Sequence, residues 1–344
     1  MEHGELIQGR SRVYTLFGHL LEYGVTEEVL PVLWEVPELA QHIAAVFDAD
    51  EAAADYQELF GFNVFPYVSV FLEVNRLVGG EITNRLYDFF RMAGFGLSLT
   101  DESADHVSHS FAFLAYLSAY ELEAMETGNY PELERVRSLQ ARFMDELLFW
   151  WLLPFVRAIE QQPYPFFRSL GRLILEFVLE HRRQLGELSG PMDVPPLADV
   201  PSLEEPHVGL REIARYLTTP VWTGLFLSRG DIARLARKKQ LPRGFGSREM
   251  LLENLLRSAV RYDALEELLD NLEALIQESE AFYESLPSDV PSVHPVVDFW
   301  LRRLGRTREH LHRIREAALA AEEDGEEPPD ARRIERGAQP EAEE

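Results

Sequence analysis

Cysteine is absent from the 344 residues. No disulfide, thiolate nucleophile or thiolate metal site can therefore be built, and the composition is compatible with a reducing compartment. Long apolar runs are missing too. The richest, Leu147 to Ile159, is shorter than the ~18–20 residues of a membrane span and is broken by Pro154 and Arg157. The N-terminal stretch MEHGELIQGRSRVYTLF has no basic segment followed by an apolar one, so no secretory signal is read. A soluble cytoplasmic protein without stable membrane insertion is expected. Positive charge is scarce: 33 Lys and Arg stand against 59 Asp and Glu, a formal net charge of −26. Such a chain repels nucleic acid and anionic lipid and attracts basic partners, although solvation alone accounts for much of such a charge. Neither Gly-x-Gly-x-x-Gly nor a Gly-Lys-Ser/Thr loop occurs, and no Gly-x-Ser-x-Gly elbow is present. No catalytic constellation is visible, and nothing calls for a cofactor.

Helical periodicity is what the chain does have. Val13, Leu16, Phe17, Leu20 and Leu21 recur at helical spacing up to Gly24, and Thr26 is the expected N-cap of a second helix. Pro66 interrupts GFNVFPYVSVFLEV, so a loop over Phe62–Tyr67 and a helix from about Val68 to Leu77 are expected. A helix over 81–97 closes at Gly94 and Gly96. Long apolar periods follow to Gly186. Residues 187–209 are rich in Pro and small polar residues and read as a linker. Residues 210–320 are again helical, and 321–344 read as a disordered acidic tail. The expected fold class is all-α: an N-terminal helical bundle over 1–186 and a smaller C-terminal helical unit over 210–320.

Three stretches carry candidate chemistry. The first is TDESADHVSHSFAFLAYL, residues 100–117, where Thr100, Asp101 and Ser103 are candidate caps and Asp105-His106 falls in the first turn of a helix. Asp105 and His109 at i, i+4 have metal-ligand spacing, but no second ligand cluster accompanies them, so no metal is assigned. The second is the basic run Arg229–Arg248, which faintly resembles a small helix-turn-helix or SAP-type module; a solvated helix face is the favoured reading. The third is Phe149-Trp150-Trp151. Two adjacent tryptophans cannot share one side of a helix, so one of them packs between domains or lines a groove.

Motifs in this order resemble one family. Tyr56-x-x-Leu59-Phe60 followed by Pro66-Tyr67-x-Ser69-Val70-Phe71, then Glu102-x-x-Asp105-His106, then the segment Phe143 to Phe155 are similar to the signatures of the cytosolic maturation chaperones of molybdoenzymes (the TorD, DmsD and NarJ type). Ser103 replaces a proline of that pattern, and Glu146 stands where a histidine is common. The resemblance covers roughly residues 10–185. It implies an all-helical, non-enzymatic protein that binds a molybdoenzyme catalytic subunit, or its basic twin-arginine signal peptide, before export or membrane attachment. It carries the peptide-binding role to Asp105 and His106. Glu102 and Asp105 can accept charge-assisted bonds from arginines, and Phe62, Phe65, Tyr67 and Trp150 can supply apolar walls beside Ser69. A carboxylate next to His106 favours a charged imidazole that orients the loop rather than touching the peptide. Two other classes remain. One is a helical regulatory protein with a nucleic-acid-binding C-terminal unit; the other is a metal-dependent helical enzyme.

Overall fold

The computed structural model describes residues 2–74, 80–97, 103–186, 193–203, 208–238, 240–242 and 245–323. Thr100, Asp101, Glu102, parts of the 187–209 linker and the acidic segment from 324 onward lie outside them. Every regular element among the described residues is helical, apart from one isolated bridge between Tyr67 and His106. The all-α expectation holds.

The N-terminal half starts with α1 (Glu2–Tyr23) and two single turns, α2 (Leu30–Leu33) and α3 (Pro37–Ala40). Next come α4 (Ala49–Tyr56), continued by a π-helical turn over Gln57–Asn63, then α5 (Val68–Leu72), α6 (Glu81–Ala93) and α7 (Val107–Glu126). A long rod follows: α8 (Tyr130–Phe143), a π turn over Met144–Leu148, and α9 (Phe149–Glu160). α10 (Pro165–Leu185) completes this half. Several expected boundaries move. Thr26 does not cap α2; its hydroxyl meets His19 at 3.1 Å, and Val29 occupies the cap position. The segment from Val68 ends as helix at Leu72, because Glu73 is already extended. Gly94 closes α6 at φ +71°, as a left-handed C-terminal glycine should.

α1 lies antiparallel along α7. Gly4 faces Leu122 and Met125, Ser11 Oγ donates to the Ala115 carbonyl at 2.9 Å, and Gly18 sits over Ser108 and Ala112. The buried stripe of α1 is Ile7, Arg10, Tyr14, Phe17 and Leu21, spaced by three and four residues. Arg10 is the charged member, and it needs a partner. Its Nη1 donates to Glu121 Oε2 at 3.0 Å and to His181 Nε2. Gln140 donates to the same Glu121 oxygen at 2.9 Å, and His181 Nδ1 meets the Tyr14 hydroxyl at 2.8 Å. One buried polar network thus ties α1, α7, α8 and α10 together. Burial first, then the Arg10, Arg137 and Arg182 charges, push the His181 pKa well below its ordinary value. A neutral His181 is what Arg10 requires as acceptor.

After residues 187–209 come α11 (Leu210–Leu217), α12 (Pro220–Thr223), α13 (Arg229–Lys238), α14 (Arg248–Arg261), α15 (Leu265–Glu284) and α16 (His294–Glu323). One contiguous buried core includes Tyr14, Trp151, Phe226 and Leu311, so apolar packing runs across the 187–209 segment. Phe71 of α5 stacks on Phe226 at 5.2 Å. Gly224, at φ +76°, lets the chain pass close to α16: a Cβ there would lie 2.9 Å from Leu304 Cγ and 3.0 Å from the Trp300 carbonyl. A second tie depends on proline chemistry. Pro154 has no N–H, so the Trp150 carbonyl one turn earlier loses its helical partner. Trp300 Nε1 of α16 donates to that carbonyl at 3.2 Å.

Candidate functional site

Two short segments far apart in sequence meet beside α5 and α7. The Val68 N–H donates to the Asp105 carbonyl at 2.8 Å, and the Val107 N–H donates to the Pro66 carbonyl at 2.9 Å. This pair forms the antiparallel bridge of Tyr67 with His106. Pro66 suits the arrangement, because proline keeps an acceptor but has no N–H to leave unsatisfied. Ser69 Oγ then donates to Asp105 Oδ2 at 2.6 Å, with both side chains almost completely buried. The Tyr67 and His106 rings meet edge to face, 5.1 Å apart. We call this assembly the clasp.

Asp105 and His106 do not lie in the first turn of α7. They precede it, and His106 is its N-cap. The Ser108 N–H donates to His106 Nδ1 at 3.3 Å, and the Ser108 hydroxyl lies 2.7 Å from the same nitrogen. The cap is made by the imidazole ring rather than by a hydroxyl or carboxylate. His109 turns away, with Nδ1 3.0 Å from the Ser103 carbonyl. Among the described residues, no group of three His, Asp or Glu side chains is placed to hold a metal ion.

The structure therefore brings Tyr67, Ser69, Asp105 and His106 together. Asp105, His106 and Ser69 are buried, whereas Tyr67 is half-exposed. Trp150 lies elsewhere, under α16: its Nε1 donates to the Asp145 carbonyl at 3.0 Å and its ring meets Phe299 at 5.6 Å. Glu102 is outside the described residues. Tyr56, from the first motif, donates its hydroxyl to the Glu22 carbonyl at 2.6 Å, while its ring covers Gly24, so it holds the end of α1. Glu73 sits at the N-terminus of α6 and accepts from the Ile82 N–H at 2.9 Å. Burial raises its pKa, and the Asp105 and Glu81 charges add to the shift.

Beside the clasp opens a cleft of about 320 Å³, lined by Phe65, Tyr67, Ser69, Val70, Arg229, Ser247 and Arg248. Its far wall comes from the basic stretch read as a solvated face. Part of that stretch is solvated, and part is structural. Ser228 and Asp231 cap α13 reciprocally, with Ser228 N–H to Asp231 Oδ2 at 2.8 Å and Asp231 N–H to Ser228 Oγ at 2.9 Å. The Gly230 N–H donates to Asn63 Oδ1 of the π turn at 2.8 Å. Arg248 is buried, lies 4.6 Å over the Phe226 ring and donates to the Leu227 carbonyl at 3.1 Å. Sequence reading missed this wall, since an arginine at a helix start gives no sign that an aromatic ring from a distant loop lies beneath it.

Fold and site together define an all-helical protein whose recognisable loops are bonded to each other beside a cleft. Residues 30–157 match the family model described as nitrate reductase delta subunit. That family is one of molybdoenzyme maturation chaperones. The match covers rather more than a third of the chain and contains all three motif stretches read from the sequence. No curated protein sequence matches the chain. No helix among the described residues is long and apolar enough to cross a membrane.

Proposed function

We propose that this chain is a cytoplasmic, non-enzymatic chaperone that binds a molybdenum-cofactor oxidoreductase and assists cofactor insertion before export or membrane attachment. Its partner is the catalytic subunit or that subunit's basic twin-arginine signal peptide. The observation that carries this reading is the clasp: two motif segments inside the matched stretch are hydrogen-bonded into one unit at the mouth of a cleft. In this reading Tyr67 faces the client, while Ser69, Asp105 and His106 fix the backbone that presents it. Glu102, next to the clasp in sequence, adds negative charge for a basic client. Trp150 acts indirectly, by seating α16. Residues 1–186 form the client-binding domain, 187–209 connect it to 210–320, and the latter closes the cleft.

The test is capture of a tagged molybdoenzyme subunit by the full chain, followed by assay of molybdenum cofactor in that subunit. Wild type should retain the client and raise its cofactor content. Tyr67→Ala should weaken capture by about tenfold, the loss of roughly one anchor side chain, while far-UV circular dichroism shows the chain still folded. A chain that captures no molybdoenzyme subunit refutes the function, and full capture by Tyr67→Ala refutes the site.

A further inference from the structure

The described lining of the cleft beside the clasp differs in charge from the chain as a whole. The chain carries a formal net charge of −26, yet among the described residues the charged ones lining this cleft are two arginines, Arg229 and Arg248. Arg248 is held in place by the Phe226 ring beneath it and by the Leu227 carbonyl, so its orientation is set before any ligand arrives. Arg229 is exposed and donates through Nη2 to the Gly246 carbonyl at 2.8 Å. Among the described residues it meets no carboxylate, and its second Nη2 hydrogen can pair with Nε–H or with Nη1–H to grip a ligand from one edge. The opposite wall is apolar, made by Phe65, Tyr67 and Val70. Close in sequence to Ser247, Phe245 is 92% exposed and Met250 53% exposed.

We propose that this cleft receives an acidic–apolar peptide segment of the client, in which an Asp or Glu side chain stands next to an aromatic or aliphatic one. The carboxylate is bound by Arg229 with the Ser247 hydroxyl. The apolar neighbour rests against Phe65, Tyr67 and Val70. Planar guanidinium donors match a carboxylate in two parallel bonds. About 320 Å³ accommodates one or two side chains rather than a whole helix. The exposed Arg229 repels a guanidinium, so this contact selects a carboxylate over an arginine of a signal peptide. The proposal rests on the client-binding reading above and adds the chemistry of one contact within it.

The test needs no client, so its result stands apart from client capture. Fluorescence anisotropy is measured on the full chain with a labelled, C-terminally amidated probe, Gly-Glu-Phe-Glu-Leu-Gly, and with versions carrying Gln or Arg in place of both Glu residues. The Glu probe should bind at least about tenfold more tightly than the Gln probe, and the Arg probe should bind least. Arg229→Ala should weaken the Glu probe about tenfold and leave the Gln probe unchanged. Because Arg229 is exposed, that variant should unfold with the wild type. Equal binding of the three probes, or an Arg229→Ala variant with unchanged affinity for the Glu probe, overturns the proposal. So does a Glu probe that binds only after residues 324–344 are removed, which assigns the cleft to the chain's own acidic segment. Displacement of the Glu probe by a single-stranded oligonucleotide in a salt-dependent, Arg229-dependent manner assigns it to nucleic acid instead.

Discussion

Replacing Ser69 by alanine removes a single hydroxyl from the clasp. Ser69 is 1% exposed and its acceptor Asp105 0% exposed, so water cannot take the place of the lost bond. Asp105 Oδ2 accepts that hydroxyl at 2.6 Å, and among the described residues Oδ1 meets no hydrogen-bond partner. The compensation for burying this carboxylate therefore rests heavily on one side-chain bond. A hydrogen bond to a charged group contributes ~1.5–3 kcal/mol, and Ser69→Ala should cost that amount. The two backbone bonds at Val68 and Val107 remain, so the clasp should loosen without coming apart. Urea denaturation followed by tryptophan fluorescence should show a lower midpoint at unchanged slope. Asp105→Ala, and the double variant with Ser69→Ala, complete a cycle. Their coupling energy should match the loss from Ser69→Ala alone, because the second change removes a bond already broken. Additive effects, with coupling below about 0.5 kcal/mol, would refute the argument that the serine hydroxyl holds the carboxylate.

Two further outcomes follow from the fold. His181 is held neutral with its pKa depressed well below the ordinary 6.5. The unfolded chain therefore takes up a proton there that the folded chain refuses. Stability should be fully present above about pH 6.5 and should decline by up to ~1.4 kcal/mol per pH unit on acidification below it. His181→Gln should flatten that part of the profile in urea titrations between pH 7.5 and 5.5, and an unflattened profile would move the effect to other groups. Gly224→Ala should destabilise by about 2–4 kcal/mol, from a disfavoured left-handed backbone and the contact with Leu304 and Trp300. A calorimetric unfolding temperature equal to wild type would contradict the close passage at α16.

The helical architecture was legible because burial stripes are local. Tyr14, Phe17 and Leu21 lie on one face of α1 whatever surrounds them, and Gly24 and Gly94 end helices through their own backbone freedom. The motif segments were legible as well, but their geometry was not. Whether Asp105 opens a helix or precedes one depends on Pro66 and Val68, nearly forty residues earlier, whose backbone pairs with it. The Val68 segment ends at Leu72 for a related reason, since Glu73 turns out to meet the N-terminus of α6. Buried charges were the least legible feature. Glu121, Asp145 and Arg182 occupy helix positions that look solvated, and only the packed partner makes each an interior group. Asp145 and Arg182 join through two bonds of 2.8 Å between elements that periodicity alone cannot register.

The carbonyl freed by Pro154 has a consequence for the timing of folding. Its acceptor site is filled by Trp300, a residue 150 positions later in the chain. At translation rates of ~5–20 residues per second, that gap lasts roughly 8–30 s. Throughout that interval the Trp150 carbonyl lacks its Trp300 partner. A protein proposed to shelter an unfinished enzyme thus begins with an unfinished surface of its own, complete only when its last long helix is synthesised.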